Sequence, residues 1–394
     1  MRKTINIGDL GTIITGKTPP TTNKNYYGDY AVFIKPTDIS EQSKYTYETE
    51  EMYSKLAAEK YESSLIPKGA ICVPCIGTIG TKMTMTPCDC YTNQSINSII
   101  CNENYDNEYV YYLIKNFLPG LKAYNLGTAS GREYVSKSNF EKIELVAEQD
   151  KEIQKKIGVI LSRYDSLIEN YQKQIKLLEE AAQRLYKEWF VDLRFPGHEN
   201  TKIVDGVPEG WEKKPISQLG EYLNGFAFKP SDWQKSGKPI IKIKEMGNGV
   251  SNDTPRNNGE RVPGKYLVKA GDLLFSWSAT LMVIVWSGEE GWLNQHLFKV
   301  TPSKGIEREF LLQSISNTIE EFQNLTTGST MKHIQRNKLD QVFVNVPNDE
   351  IMKRYSSIAE KERTEILHLS SQIRLLTEAR DRLLPKLLSG EITV

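Results

Sequence analysis

Two long stretches of the chain carry an apolar residue at almost every third or fourth position. The first runs from 153 to 189 and the second from 351 to 387, at a constant offset of 198 residues. Such steps follow one face of an α-helix, and a stripe this narrow is typical of coiled-coil packing. The pattern predicts two long amphipathic helices. We expect the first to end near FPG (195–197) and the second where Pro385 and Gly390 break it.

The apolar residues of these stripes are expected to pack between the two helices or against a partner protein. They include Ile168, Ile175, Leu178, Leu185, Trp189, Phe190, Ile366, Leu369, Ile373, Leu376, Leu383 and Leu387. Trp189 and Phe190 are adjacent and are not expected to face the same side of the helix, so one of them is a candidate for a protein interface. Glu362 and Arg380 interrupt the second stripe.

Chain connectivity favours an antiparallel pairing, in which the first helix carries the chain away and the second brings it back. Neither helix is expected to be stable alone, so each must bury its stripe. About 33 helical residues at ~1.5 Å per residue would form a spacer of roughly 50 Å, with one globule at each end.

Short β-rich runs precede each helix and are separated by Gly, Pro and Asn turns. Helical patterns interrupt them at 109–118 and 308–325. Each globule is therefore predicted to be a mixed α+β domain of roughly 140 residues. The β-rich runs include AVFIKP (31–36), AICVPCIGTIG (70–80), IIKIKEM (240–246), DLLFSWS (272–278) and QVFVNVP (341–347).

The two globules are copies of each other. Asn93-Gln94 in the first matches Asn294-Gln295 in the second, and a glycine follows each pair after 33 residues, at Gly127 and Gly328. Flanking stretches match in the same order, and a repeat this long indicates a duplicated domain. Because two otherwise diverged copies share the Asn-Gln pair, we expect both Gln side chains to be internal hydrogen-bonding groups.

The predicted fold class is α+β. It consists of two homologous mixed α/β globules separated by two long helices, which pair as an antiparallel coiled coil and give a pseudo-two-fold internal repeat. The predicted domains are 1–150 (first globule), 151–196 (first spacer helix), 197–348 (linker and second globule) and 349–394 (second spacer helix and C-terminal tail).

Composition and charge narrow the function classes. The 394 residues are 39 % hydrophobic and 25 % charged, which are ordinary values for a globular protein. Fifty Lys and Arg balance fifty Asp and Glu, so nucleic-acid binding would need a local basic surface. The N-terminus has no signal-peptide pattern, and the longest mostly apolar run, 273–286, is too short to span a bilayer. We therefore expect a cytoplasmic protein.

Motifs for catalysis are missing from the sequence. It contains no GxxxxGK[ST] phosphate loop, no GxGxxG after a strand, and no HExxH or GxSxG pattern. With only four histidines, triad or metal chemistry has few candidates. The sequence therefore favours a binding or scaffolding role, with no catalytic residue and no bound metal.

Four cysteines approach the spacing of zinc ligands: Cys72, Cys75, Cys88 and Cys90. The second globule has no cysteine in the corresponding region. A structural zinc ion required by the fold would be expected in both copies. We therefore interpret these cysteines as strand and loop residues, with zinc binding as the alternative.

The order of two variable globules, each followed by a long helix, resembles the specificity subunit of type I restriction–modification systems. The resemblance covers nearly the whole chain. Its matching stretches include LGTIITGKTPPTTNKNYYGDY (10–30), EEAAQRLYKEWFVDLRFPG (179–197) and RDRLLPKLLSGEI (380–392), of which the last two are the most specific. The second globule departs from the pattern, with LNGFAFKPSDW (223–233) where the first has GKTPP.

The resemblance implies a non-catalytic subunit with two target-recognition domains, each of which recognises half of a split sequence in double-stranded DNA. The helices would bind two methyltransferase (modification) subunits. Those subunits use S-adenosylmethionine, and separate restriction subunits use ATP with Mg²⁺, so no cofactor is expected on this chain. Because the two globules differ in sequence, the recognised DNA site is expected to be asymmetric, unlike the palindrome of a homodimer.

Candidates for DNA contact are polar residues on loops or exposed strands. The first group follows Gly127 and Gly328, the second lies in the Pro- and Asn-rich loops, and the third is a set of lysines on strands, where Lys242 and Lys244 would share one face. The alternative for every candidate is an ordinary solvated side chain. The candidates are Lys17, Asn23, Lys24, Lys35, Ser130, Arg132, Lys229, Ser231, Lys242, Lys244, Ser329, Thr330, Lys332 and His333.

Two other function classes stay open at this point. A stand-alone coiled-coil regulator or scaffold would bind DNA at high affinity without a methyltransferase partner. An unrecognised enzyme, with its site between a globule and a helix, would show activity as the purified chain alone.

Overall fold

The computed structural model describes residues 2–127, 131–251, 253–325 and 336–394. The chain divides into two compact units: unit 1 is formed by residues 1–170 and 374–394, and unit 2 by residues 171–373. Two long helices each contribute to both units. In the described part of the chain, no helix is both long enough and apolar enough to cross a membrane.

Unit 1 combines short strands with three short helices and parts of the two long ones. Its strands are β1 (Arg2–Asn6), β2 (Gly11–Thr15), β3 (Tyr27–Ile34), β4 (Met52–Tyr53), β5 (Ile71–Pro74), β6 (Ile76–Gly77), β7 (Thr84–Met85), β8 (Tyr91–Thr92), β9 (Ile96–Cys101), β10 (Glu133–Tyr134) and β11 (Glu144–Glu148). Its helices are α1 (Lys55–Lys60), α2 (Asn107–Phe117), α3 (Lys137–Glu141), the first part of α4 (Lys151–Tyr186) and the last part of α8 (Asp349–Ser389).

Unit 2 repeats this arrangement. Its strands are β12 (Ile203–Val204), β13 (Val207–Pro208), β14 (Glu212–Pro215), β15 (Gly220–Asn224), β16 (Lys238–Ile241), β17 (Arg256–Asn257), β18 (Leu267–Val268), β19 (Leu273–Ser276), β20 (Met282–Val285), β21 (Gly291–Leu293), β22 (Leu297–Pro302) and β23 (Phe343–Val346). Its helices are the last part of α4, α5 (Ile243–Asn248), α6 (Arg308–Asn317), α7 (Ile319–Leu325) and the first part of α8 (Asp349–Ser389).

The strand order confirms the internal duplication. The central sheet of unit 1 has the order β2-β9-β5-β7, and that of unit 2 has the matching order β15-β22-β19-β20. In each unit a second sheet contains one parallel pair, β3 with β8 and β16 with β21. The predicted α+β class with two homologous globules is therefore confirmed.

Each unit has a main apolar core that includes residues from both long helices. In unit 1, Leu161 of α4 and Leu387 of α8 belong to the same buried cluster. In unit 2, Tyr186 and Tyr355 share a cluster, with their ring centroids 6.5 Å apart. Glu179 of α4 and Arg363 of α8 also line one groove in unit 2. Residue numbers therefore fall from 186 to 179 along α4 as they rise from 355 to 363 along α8. The helices are therefore antiparallel within unit 2.

The predicted stripe residues are all buried or partly buried in their own units. The buried members are Ile168, Phe190, Ile366, Leu369 and Leu387. The partly buried members are Ile175, Leu178, Leu185, Trp189, Ile373, Leu376 and Leu383.

Two local predictions about the helix ends were wrong. The predicted end of the second helix at Gly390 is confirmed, because α8 ends at Ser389, but Pro385 does not break the helix. Pro385 removes one N–H donor in the last turns of α8. Trp189 and Phe190 do face one neighbour, since their ring centroids lie 6.0 and 4.9 Å from that of Tyr355. The chain forms a π-helical turn at Lys187–Val191, which changes the angular spacing of adjacent side chains from that of an α-helix.

Arg380, which interrupts the second stripe, lies buried in unit 1 and forms an ion pair with buried Asp165 of α4. The Tyr112 hydroxyl donates a second hydrogen bond to the Asp165 carboxylate. Burial acts to raise the pKa of Asp165, but Lys115 and Arg380 outweigh it and hold that pKa below its ordinary value. The charged side chains therefore satisfy each other inside the unit 1 core.

We predict that Arg380→Ala lowers the free energy of unfolding by about 3 kcal/mol, because it leaves the Asp165 carboxylate buried without its cation. The double variant Asp165→Leu/Arg380→Met should recover most of this loss. Urea unfolding of the full chain measures both, with Arg382→Ala as the control, since Arg382 is exposed and forms an exposed ion pair with Glu378. An Arg380→Ala chain as stable as the control would contradict the prediction.

The same pair fixes the expected pH dependence. A carboxyl group with a depressed folded-state pKa contributes stability above its unfolded pKa and loses it as the pH falls through the folded value. The contribution of Asp165 is therefore expected to be complete at neutral pH and to disappear only below about pH 4.

Candidate nucleic-acid interface

The Asn93-Gln94 pair forms a tight turn immediately before β9. The Asn93 N–H donates to the carbonyl of Ile34, the last residue of β3, at 3.1 Å, and the Asn93 carbonyl accepts from the Ile96 N–H at 3.1 Å. The Asn93 side chain accepts from the Ser95 N–H at 3.0 Å. The asparagine therefore holds the turn from within, while Gln94 lies exposed at its tip.

Asn294-Gln295 forms the same turn in unit 2. The Asn294 N–H donates to the carbonyl of Ile241 at 3.1 Å, and the Asn294 carbonyl accepts from the Leu297 N–H at 3.0 Å. Its side-chain oxygen accepts from the His296 N–H at 3.5 Å, and its amide donates to Gln295 Oε1 at 2.6 Å. Gln295 is half-buried, whereas Gln94 is exposed. Both Gln side chains accept a hydrogen bond from within the chain, as predicted, but the expectation of an internal position is wrong for Gln94.

A glycine lies directly against each turn. A Cβ atom on Gly16 would be 2.1 Å from the carbonyl oxygen of Thr92, and one on Gly225 would be 2.2 Å from that of Asn294. Real Cβ atoms do not approach so closely, so any side chain at these positions would displace the turn. The repeated glycine and the repeated Asn-Gln pair are therefore two parts of one packing contact.

In unit 1, polar residues that follow β2 and β3 lie on the same side of the sheets as this turn. The Lys17 N–H donates to the Thr92 carbonyl at 2.9 Å, and the Thr18 hydroxyl donates to Gln94 Oε1. Lys35 follows β3 directly, and because β3 and β8 are parallel, Lys35 and Gln94 lie at the same end of that sheet.

The glycine-led loop of unit 1 ends near the same place. The Cys75 N–H donates to the Ser95 carbonyl at 2.7 Å, and the adjoining strand β6 pairs with β10, whose first residue follows Arg132. The Arg132 side chain is exposed. We call the surface formed by Lys17, Thr18, Lys35, Gln94 and Arg132 the Gln94 edge.

Unit 2 presents different side chains at the equivalent place. The Trp277 indole N–H donates to Asn224 Oδ1 at 3.2 Å, and the rings of Trp277 and His296 have centroids 5.8 Å apart. Asn224 ends β15, Trp277 follows β19, and His296 precedes β22. We call the surface formed by Asn224, Lys242, Trp277, Gln295 and His296 the Gln295 edge.

Six residues of these two edges were not among the candidates for DNA contact predicted from the sequence: Thr18, Gln94, Asn224, Trp277, Gln295 and His296. The register set by the two Asn-Gln pairs was the available signal. It marked equivalent positions in the two globules, but it does not indicate whether a side chain at that position is buried or exposed.

The lysines at the two edges differ in their surroundings. Lys35 Nζ lies 2.7 Å from Glu50 and 3.2 Å from Glu51. Burial acts to lower the pKa of Lys35, but these carboxylates outweigh it and raise that pKa above its ordinary value. Lys242 Nζ instead lies 4.9 Å from the ring centroid of Trp233, within the range of a cation–π contact.

The prediction that Lys242 and Lys244 share one strand face was wrong. Strand β16 ends at Ile241, and helix α5 begins at Ile243. The Glu245 carboxylate accepts a hydrogen bond from the Lys242 N–H at 3.1 Å, a capping contact that favours the start of a helix over a longer strand. Lys244 is therefore exposed on the first turn of α5.

The other candidates divide into two groups. Asn23 accepts a hydrogen bond from the Asn25 N–H at 3.1 Å and so caps a short turn, while Lys24, Lys229 and Ser231 are exposed. The remaining candidates lie outside the described residues: Ser130, Ser329, Thr330, Lys332 and His333.

The cysteine pattern that approaches zinc-ligand spacing is split between two cores. Cys75 belongs to the main core of unit 1, whereas Cys72 and Cys90 belong to a separate apolar cluster. Burial raises the pKa of both Cys72 and Cys75 to about 12, which disfavours the thiolate that a metal would need. In the described part of the chain, no group of three potential ligands could hold a metal ion.

A duplicated α+β fold, with equivalent edges that carry different polar and aromatic side chains, defines a class of paired-domain proteins. The family model described as "Type I restriction modification DNA specificity domain" matches residues 2–180 and 208–376. The chain belongs to this family of DNA specificity subunits. Members of the family recognise DNA sequence and are not themselves catalytic.

Individual relatives agree with this assignment. The chain is 25 % identical over 409 residues to the type I restriction enzyme MjaIX specificity subunit of Methanocaldococcus jannaschii, covering 98 % of this chain and 93 % of the relative. It is 38 % identical over 164 residues to the HindI specificity subunit of Haemophilus influenzae, covering 40 % of this chain and 35 % of the relative. The crystal structure of the type I restriction-modification S subunit from M. genitalium has the same fold, with a TM-score of 0.55, 15 % identity and coverage of 98 % and 96 %.

We predict that Gly225→Ala lowers the free energy of unfolding by about 1–3 kcal/mol, because its new methyl group collides with the Asn294 turn. Gly264→Ala is the matched control, since no atom of the described residues lies within 4 Å of the Cβ position there. Gln94→Ala should change stability by less than about 0.5 kcal/mol, because Gln94 is exposed. Urea unfolding of the full chain measures all three, and equal midpoints for the two glycine variants would contradict the packing role.

Proposed function

We propose that this chain recognises a split, asymmetric sequence in double-stranded DNA, with one half-site bound at the Gln94 edge and the other at the Gln295 edge. The proposal rests on one observation: the two edges have the same backbone arrangement but carry different side chains. Both edges use the same Asn-Gln turn and glycine contact, yet Arg132 and Thr18 stand at one, and Trp277 and His296 at the other.

The chemistry of the edges is suited to base recognition. A glutamine side chain can form two hydrogen bonds with adenine in the major groove, and an arginine can form two with guanine. The hydrogen bond from Thr18 to Gln94 Oε1 orients the Gln94 side chain before any DNA is bound. Lys17 and Lys24 are exposed and can contact phosphates, which position the protein without selecting sequence.

We infer that the helices bind two methyltransferase subunits. Leu177 of α4 and Leu375 of α8 occupy equivalent positions of the repeat, and their side chains are 62 % and 48 % exposed. Two equivalent exposed leucines suit two copies of one partner, since each copy can use the same contact. The sequence pattern had indicated the neighbouring residues Leu178 and Leu376, which are partly buried instead.

In this proposal the chain supplies sequence recognition within the cytoplasm and carries no cofactor. The methyltransferase subunits would use S-adenosylmethionine, and restriction subunits, where present, would use ATP with Mg²⁺. The chain mixed with a methyltransferase subunit should therefore methylate a split sequence that neither protein methylates alone.

We predict that Arg132→Ala lowers the sequence discrimination at one base pair of one half-site and leaves the other half-site unchanged. Loss of a two-bond contact to guanine costs about 1–3 kcal/mol, which is roughly a 5- to 150-fold loss of discrimination at that base pair. Single-molecule sequencing of DNA methylated by the chain together with its methyltransferase subunit measures the change.

Trp277→Ala should alter only the opposite half-site in the same experiment. Arg163→Ala is the control for both variants, because Arg163 is an exposed arginine of α4 outside both edges. Two results would contradict the assignment of one edge to each half-site. In the first, one variant lowers sequence discrimination at both half-sites; in the second, neither variant changes either half-site.

We also predict that Leu177→Glu and Leu375→Glu each weaken binding of one methyltransferase subunit, because a carboxylate would replace an apolar contact. The double variant should lose both. Sedimentation of the assembled complex measures the stoichiometry, with Leu56→Glu as the control, since Leu56 is 50 % exposed and lies on α1. Full assembly by the double variant would rule out these leucines as contacts.

A further inference from the structure

We propose that a groove in unit 2 binds an extended segment of a partner protein, in which a lysine or arginine precedes an aromatic residue. The segment would add to the sheet along β20. The groove has a volume of about 350 Å³, and its lining includes Glu179 and Gln183 of α4, residues 283–285 of β20, and Arg363 and Ile366 of α8.

Unit 1 shows how such a segment can bind, because its own chain occupies the equivalent place. Strand β7 is the counterpart of β20: Met85 pairs with Ile71 in unit 1 as Val285 pairs with Leu273 in unit 2. In unit 1, residues 43–47 lie against the outer edge of β7. The Met85 N–H donates to the Lys44 carbonyl at 2.8 Å, and Tyr45 forms a parallel bridge with Met85.

The side chains of that segment fill the space between β7 and the helices of unit 1. Lys44 is buried and forms an ion pair with Glu108 of α2, and its Nζ lies 5.2 Å from the ring centroid of Tyr111. The Tyr45 hydroxyl lies 3.4 Å from the Glu108 carboxylate, and its ring packs against the main core. A lysine followed by a tyrosine is therefore the chemistry that occupies this position in unit 1.

The corresponding segment of unit 2 takes a different path. Val250 packs with the apolar cluster that includes Leu274, which is separate from the main core. Thr254 is buried and donates to Glu245 at 3.1 Å, while it accepts from the Ser251 N–H at 3.0 Å. Among the described residues, β20 is therefore an edge strand with a neighbour on one side only.

The backbone of β20 is arranged to accept a further strand. The Trp286 N–H points toward β19 and donates to Asp272 at 2.8 Å, just as the Thr86 N–H donates to Ala70 at 2.9 Å in unit 1. Because N–H directions alternate along a strand, the Val285 N–H points away from β19. The equivalent N–H in unit 1, that of Met85, donates to the Lys44 carbonyl.

Charge in the groove favours a basic segment. Glu309, the counterpart of Glu108, is already paired with Arg363 at 3.0 Å and Arg308 at 3.1 Å. Glu179 forms no ion pair among the described residues, and its side chain is exposed along the groove. Partial desolvation raises the pKa of its carboxyl above the ordinary value, against the opposing attraction of Arg363. A cation on the incoming segment would meet this carboxylate, whereas a nucleic-acid phosphate would be repelled by it.

The test uses the full chain and a synthetic peptide with the sequence of residues 41–48, EQSKYTYE, in which benzoylphenylalanine replaces the first tyrosine. Photo-crosslinking should be saturable at one peptide per chain. Mass spectrometry should locate the crosslinks within 283–287 of the β20 region or 179–183 of α4. Crosslinks elsewhere, or labelling that does not saturate, would overturn the proposal.

A double-mutant cycle with reversed charges tests whether the peptide lysine contacts Glu179. Peptide binding should weaken about tenfold when the peptide lysine becomes glutamate, and about tenfold with Glu179→Lys in the chain. Combining the two reversals should restore much of the lost binding, and Glu321→Lys, exposed on α7, should have no effect. Absence of restoration, or displacement of the peptide by a single-stranded oligonucleotide, would also overturn the proposal. The methylated DNA sequence should not change with Glu179→Lys, which separates this test from that of the proposed function.

Discussion

Burial of the two helical stripes is the constraint on which the rest of the structure depends. A helix with a narrow apolar stripe is marginal in water, so α4 and α8 must each find partners along their whole length. They find them in both units, where Leu161 and Leu387 share one core and Tyr186 and Tyr355 share the other. Each compact unit therefore combines segments that are distant in sequence, and neither globule is independent of the helix that follows the other. Buried charges such as Asp165 and Arg380 are tolerated in these cores because they pair with each other.

Within each unit, a glycine packs closely against an Asn-Gln turn. This contact fixes a backbone that both units share, while the side chains around it differ. The contact leaves no space for a side chain at Gly16 or Gly225, so both copies keep the same backbone there. The asparagine makes the hydrogen bonds that hold the turn, so the neighbouring side chains are not needed to stabilise it. A recognition surface can then vary in its side chains while its backbone stays the same. This explains how one duplicated fold can carry two different edges.

Periodicity and internal repetition were sufficient to predict the fold class, the two long helices and the duplicated globules, because these features involve many residues. Single-residue features were harder to predict. The IIKIKEM run alternates as a strand would, but the Glu245 cap starts a helix after Ile241. Pro385 is an ordinary helix breaker, yet α8 continues beyond it. Gln94 and Gln295 occupy equivalent positions but differ in exposure, and no sequence pattern carries that information. The residues around the Gln295 edge, such as Trp277, come together only through the sheet order.

We propose that the two globules recognise separate halves of one DNA sequence. The most direct measurement replaces residues 1–150 with those of another family member and maps the sites methylated by the assembled complex. One half of the split sequence should then change to a new one, while the other half keeps its bases. Methylation at an unchanged sequence, or a change in both halves, would contradict it.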